Sequence, residues 1–367
     1  GIEGFAEAED RVDTFIQVSP TEDDLLGANG RKMLAGVRAL EWSGGPVPRN
    51  APGCTGRAIC VLGCPEKAKR ATHLSYLPVA RDHGAQVLLK TPAQKIRLSG
   101  KRAIGVEAKN ERGESVIIDA GRVVVAGGAV FTPVLLQKSG VTTPGIGENL
   151  MSHPGCALAV HYDEPIDMGQ QAVPQSVYSD EFLESDRMMF LLGSIPPHLT
   201  LPALAATGIL RNAIEHKNTG FWGCLVRDAL GRGEVRATKK GRALRYQAGA
   251  EERDIIRRSF LKLAALAFAS GAKAVTPLML GSVRATSVKE LDRKLPRELS
   301  ARRLVGGSIH PMGTCGIGRV CNADGSVRGY ENLYVGDASL FPTSIGVNPQ
   351  YSIMSLATLV AGGLLEA

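Results

Sequence analysis

Arg122-Val-Val-Val-Ala-Gly-Gly-Ala-Val-Phe131 is the stretch that decides the fold. Three β-branched residues in succession make a strand that is apolar on both faces, which suits a parallel sheet covered on both sides rather than a half-exposed antiparallel one. Gly127-Gly128 closes the run, and Ala129 to Ser139 continues with apolar residues at helical spacing. The reading is a buried strand that feeds a helix through a glycine turn. Taken by itself, such a turn is more often an ordinary strand–helix connection than a place where a dinucleotide lies close to the backbone.

Upstream of this strand, short runs at Gln86–Lys90, Lys95–Leu98, Ala103–Ala108 and Ser115–Ile118 are separated by turn signals at Ser99-Gly100 and Glu111-Arg112-Gly113. They predict strands of a small antiparallel sheet. Before them, Leu25 to Leu40 and Lys67 to His83 have helical apolar spacing, and a cysteine-bearing loop runs from Cys54 to Cys64. Downstream, Glu234 to Gln247 predicts a charged hairpin. Glu251 to about Ala269 predicts a helix with Ile256, Phe260, Leu263 and Ala267 on one face. Phe190 to Leu210 is uncharged but carries Pro196, Pro197 and Pro202, which predicts an irregular apolar loop. The last uncharged stretch, Ala338 to Leu365, is broken by Pro342 and Pro349. Its continuous apolar part, about 14 residues, falls short of the roughly 20 that span a bilayer.

A chain of 367 residues with 44% hydrophobic content can bury a large core. The formal charge of +7 is spread, with acids between the bases and no aromatic-interleaved basic run, so nucleic acid is excluded as a partner. The seven cysteines show no disulfide framework and favour a reducing compartment, cytoplasmic or at a membrane periphery. Cys54, Cys60 and Cys64, spaced C-x5-C-x3-C, could ligate an iron–sulfur cluster or form a buried thiol loop or disulfide.

Several separated blocks carry the chemistry. Ser308-Ile-His-Pro-Met-Gly-Thr-Cys315 precedes Asn332-Leu-Tyr-Val-Gly-Asp-Ala-Ser-Leu-Phe-Pro-Thr343 and then Val347-Asn-Pro-Gln350 at the head of the last helix. Earlier, Ala126 to Gly140 precedes Gly145-Ile-Gly-Glu-Asn-Leu-Met-Ser-His-Pro154. In this order they resemble the glucose–methanol–choline (GMC) oxidoreductases, FAD enzymes that oxidise alcohols. The resemblance implies a mixed α/β fold: an incomplete dinucleotide-binding domain plus a substrate domain with an antiparallel sheet and covering helices. Residues 1–154 would hold the dinucleotide-domain remainder, with cysteine loop 54–64 and returning strand 122–128. Residues 155–304 would form the substrate domain, and 305–367 the returning segment with the active site.

The resemblance further implies that His310 is the base for the substrate hydroxyl and that Asn348 matches the Asn variant of the cholesterol oxidase and choline oxidase branches. It places FAD against Ala93, Ala126, Gly127, Gly128, Gly336, Asp337, Ala338, Asn348 and Pro349. His153 is expected to be structural or cofactor-adjacent. No Gly-x-Gly-x-x-Gly occurs in these residues, so the chain is expected to lack the family's N-terminal pyrophosphate-binding segment and to be a partial sequence. The expected partners are a small alcohol, lipophilic by the apolar Phe190–Leu210 stretch, the missing N-terminal segment and an electron-acceptor protein. Some family members carry a three-cysteine cluster, which sharpens the iron–sulfur expectation. The rival is a non-catalytic cysteine-loop module for a metal or electron carrier.

Overall fold

A computed structural model describes residues 2–166, 168, 171–194, 197–209, 214–305 and 307–366. Short strands open the chain: β1 (Ser19–Pro20), β2 (Gly45–Pro46) and β3 (Pro48–Arg49). Then come β4 (Ala93–Ser99), β5 (Arg102–Lys109), β6 (Ser115–Asp119) and β7 (Val123–Val125). The middle of the chain holds β8 (Gly155–His161), β9 (Val177–Ser179), β10 (Met188–Leu192) and β11 (Thr219–Val226). Last are β12 (Gly233–Thr238), β13 (Gly241–Tyr246), β14 (Ala274–Pro277) and β15 (Leu333–Val335).

The triple-valine strand β7 pairs in parallel with β15, Val123 opposite Leu333 and Val125 opposite Val335. Gly127 caps the helix Gly128–Lys138 that follows, and Gly128 takes φ +75°, a conformation that glycine adopts without a Cβ penalty. Beside this pair, β4, β5 and β6 form the antiparallel sheet expected from the turn signals. An apolar core containing Val125, Leu136, Met312, Leu333 and Val335 joins these elements to the C-terminal helix Gln350–Glu366.

The larger core lies on a six-stranded sheet of order β14-β8-β11-β10-β9-β2. The helix Ala250–Ala269 covers it with Ile256, Phe260, Leu263 and Ala267, at the spacing of one helical face. A second helix, Gly27–Ala39, crosses the first so closely that a Cβ on Gly36 would stand 2.6 Å from the Leu266 carbonyl oxygen, so the crossing requires glycine. From the same helix, Asn29 is fully buried; its Oδ1 accepts the Trp222 indole N–H at 2.9 Å. Asn29→Ala leaves that donor and the Phe221 and Gly193 carbonyls without it, so a loss of about 1–3 kcal/mol is expected in urea denaturation.

Three sequence expectations differ from the structure. Gln86–Lys90 forms no strand: it has no ladder to join, and Val87, Leu88 and Leu89 stay exposed. The helix expected over Lys67–His83 is confined to Tyr76–Asp82, because Lys67 takes φ +53° and the residues after it form turns. The apolar stretch from Phe190 is not an irregular loop. It begins inside β10 and continues as a helix, Pro197–Ala206, in which Pro197 occupies the first turn, where its missing N–H is not needed. Ile195, Pro196 and Leu210 of that stretch lie outside the described residues. The hairpin of β12 and β13 forms where the charges predicted it. Among the described residues no helix is long and apolar enough to cross a membrane.

Candidate active site

Met151 and Met312 exchange backbone hydrogen bonds of 3.0 and 2.9 Å, forming an isolated antiparallel bridge. Two residues further along each segment, on the same face of that register, stand His153 and His310. Their Nδ1 atoms are 3.2 Å apart and the rings meet edge to face, with centroids 5.3 Å apart. His153 is 1% exposed and takes φ +48°. Its Nε2 accepts the Gly346 backbone N–H at 2.9 Å. Burial, then the neighbouring imidazole, pushes His153 down to about 3, and burial also lowers His310. Both rings are therefore neutral over the ordinary working range of pH.

Asp228 ties these segments together. Its Oδ2 accepts the Ser152 N–H at 2.9 Å and the Tyr246 hydroxyl at 2.8 Å, and its Oδ1 accepts the Ser344 hydroxyl at 2.7 Å. The His153 N–H also points at Oδ1, at 3.4 Å. One buried carboxylate thus holds the loop that precedes β8 to the loop that leads to Asn348. The sequence analysis missed it, since Asp228 stands in no motif and only these distant partners reveal it.

Asn348 is exposed, and its Nδ2 donates to Gln175 Oε1 at 2.8 Å. Both line a cavity of about 630 Å³ with Val47, Val173, Met189 and Leu191. His310 is not among the lining residues. The structure joins it to the Asn348 segment through His153 and Gly346 rather than by a direct hydrogen bond.

Of the expected cofactor residues, Ala126, Gly127 and Gly128 follow the carboxyl end of β7, Gly336, Asp337 and Ala338 follow that of β15, and Ala93 opens β4. Ala93, Ala126 and Gly127 line a second cavity, of about 480 Å³. Above Gly128 the space is open, as no atom lies within 4 Å of where a Cβ would stand. Asp337 is buried and fully engaged: Oδ2 accepts the Gly128 N–H at 2.8 Å and the Thr132 hydroxyl, and Oδ1 accepts the Ser339 N–H at 2.7 Å. It caps the short helix Ala338–Leu340 and anchors the glycine turn. Gly336 and Ala338 lie beside it at the end of β15, whereas Pro349 is buried next to Asn348.

Cys54, Cys60 and Cys64 are free thiols. Burial and the two neighbouring thiols raise Cys60. Among the described residues, no group of three His, Cys, Asp or Glu is arranged to hold a metal. The iron–sulfur expectation for Cys54, Cys60 and Cys64 is therefore not supported, and neither is the metal-module rival that depended on it.

Comparison with known proteins gives the family. The GMC oxidoreductase N-terminal domain profile matches residues 1–155 and its C-terminal counterpart 230–357. A GMC-type oxidoreductase of Sinorhizobium fredii is 31% identical over 97% of this chain and 72% of its own length. The chain belongs to the GMC oxidoreductase family. A GMC-type oxidoreductase of Mycobacterium tuberculosis is 35% identical over 96% of this chain, and a long-chain-alcohol oxidase of Arabidopsis thaliana is 26% identical over 100% of it. The chain spans 57% and 54% of the lengths of these two relatives. Among solved structures, an Aspergillus oryzae formate oxidase has the same GMC fold, with a TM-score of 0.66, 15% identity and 94% of this chain and 71% of that chain covered. The expectation that the chain lacks the family's N-terminal pyrophosphate-binding segment is not borne out, since the N-terminal domain profile matches residues 1–155.

Proposed function

We propose that this GMC oxidoreductase is an FAD-dependent enzyme that oxidises a CH–OH group, with His310 and Asn348 meeting the same substrate oxygen. The observation that carries the reading is the hydrogen-bonded chain His310–His153–Gly346, which ties the His310 imidazole to the backbone two residues before Asn348. The residues present fit a dinucleotide: open space above Gly128 and a cavity that runs along β7 to the glycine turn at its carboxyl end are what close approach of a cofactor requires. Ala93, Ala126, Gly127, Gly128, Gly336 and Ala338 would hold FAD, with Asn348 and Pro349 at its reactive end. Asp337 would contribute by fixing the glycine turn. Bound there, FAD supplies the acceptor for the hydride leaving the alcohol carbon.

The protein's own part is to receive the hydroxyl proton at His310, hold the oxygen with the Asn348 amide, and exclude water. Neutral imidazole suits the first task, because an imidazolium has no lone pair to accept with. The apolar lining of the larger cavity and the long-chain-alcohol oxidase relative support a lipophilic alcohol. Across a series of primary alcohols, kcat/KM is expected to rise about three- to fourfold per methylene until the cavity is filled, following roughly 0.8 kcal/mol per buried CH₂. A flat series in anaerobic flavin-reduction assays would remove the lipophilic assignment and leave the reaction class standing.

A further inference from the structure

The contacts of His153 determine where its proton is. Gly346 N–H is a donor in every protonation state, so His153 Nε2, which accepts from it at 2.9 Å, carries a lone pair. A neutral imidazole has one N–H, and in His153 it must be on Nδ1. That nitrogen faces His310 Nδ1 at 3.2 Å. The facing atom accepts, and the single proton of neutral His310 is left on Nε2. We propose that His153 is a positioning residue: through Gly346 it holds resting His310 in the Nε2–H form, a hydrogen-bond donor, and His310 can receive the hydroxyl proton only after its Nε2 proton has left to solvent, its Nδ1 has taken the His153 Nδ1 proton and His153 has taken one from solvent at Nε2.

This inference rests on the reading of His310 as the residue at the reacting oxygen. The opposite tautomer, with His310 Nδ1–H and His153 Nε2–H, would set two donors face to face at Gly346. A protonated His310 would do the same between the rings, which agrees with the lowering of both imidazoles. His153 itself has little freedom to turn away, with its backbone N–H on Asp228 and 1% of its surface exposed. The titratable and charged groups around the pair are Asp228, Tyr246 through Asp228 Oδ2, and Arg227, whose side chain packs on Gly346 and pairs with Glu184. None of them hydrogen-bonds at the Nδ1–Nδ1 contact, so the tautomer is set by Gly346.

The test is a long-range ¹H–¹⁵N correlation spectrum of the full chain labelled in its seven histidines, assigned through His153→Asn and His310→Gln. Asn tolerates the positive φ at position 153. The expected His310 pattern is an unprotonated Nδ1 and a protonated Nε2. His153→Asp offers only acceptors toward His310. It is expected to move the proton to Nδ1 and to raise the acid limb of flavin reduction in the loaded enzyme by about one pH unit or more, as a facing carboxylate stabilises the imidazolium. A protonated Nδ1 in the parent protein, or an unchanged tautomer in a folded His153→Asp variant, overturns the proposal. The expected tautomers together with a fully active His310→Ala variant would instead refute the catalytic reading while leaving the tautomer assignment intact.

Discussion

His310→Ala is expected to slow anaerobic reduction of the flavin by alcohol by about 10²- to 10⁴-fold while leaving FAD bound, the range for loss of a positioned proton-transfer group. The imidazole is seated by a register: the Met151–Met312 bridge sets His310 opposite His153, and Gly346 fixes the far side of that ring. Asn348→Ala should cost less, since one hydrogen bond to the substrate oxygen goes but the proton acceptor stays. The pH profile follows from the direction of the His310 shift. Burial lowers its pKa below 6.5, so the neutral form persists to lower pH than in a free imidazole. The acid limb of flavin reduction should then lie below 6.5 and disappear in His310→Ala. Stopped-flow reduction isolates this step from whatever acceptor reoxidises the flavin. A variant that reduced at the parental rate would return His310 to the role of a histidine that closes a turn.

Asp228→Ala should be the most damaging substitution away from the reacting oxygen, with an expected loss of about 3–5 kcal/mol in denaturant unfolding. Four donors converge on this carboxylate, from Ser152, His153, Tyr246 and Ser344. Removing it strands buried N–H and hydroxyl groups on three separate segments. It also releases the loop of His153 from the loop of Gly346, so flavin reduction is expected to fall about 10²-fold even under conditions where the variant is fully folded, as for a displacement of roughly 1 Å in a catalytic group. Asp228→Asn keeps the acceptor oxygen on one side and should recover part of both losses. Stability and rate at the parental level in Asp228→Ala would show that the loops are held by their backbone pairing alone.

The contrast between Asp228 and Gly128 shows what was legible in the residues. Gly128 sits at a strand end before a helix, and its φ of +75° is a local demand that the Val-Val-Val-Ala-Gly-Gly pattern states outright. Asp228 follows Val226-Arg227 with no motif, and its partners lie 18 to 116 residues away. His310 was singled out by its His-Pro-x-Gly-Thr context, while its contact with His153, 157 residues away, was not legible. The cysteine loop misled in the other direction: spacing resembled a cluster site, but no metal-holding group results among the described residues.

By itself the sequence determined the parallel β7, its glycine turn, the β4–β6 sheet, the Ala250–Ala269 helix and the family. Each of these depends on periodicity or turn chemistry within about ten residues, where steric and burial preferences act directly on the chain. Tertiary structure alone decided that Gln86–Lys90 stays unpaired, that the Phe190 stretch splits into a strand and a helix, and that Asp337 spends its oxygens on the glycine turn. It also decided which nitrogen of His310 carries the proton. These outcomes depend on which distant donor or edge arrives at a given atom, and a hydrogen bond between residues 153 and 310 leaves no periodic trace in either segment.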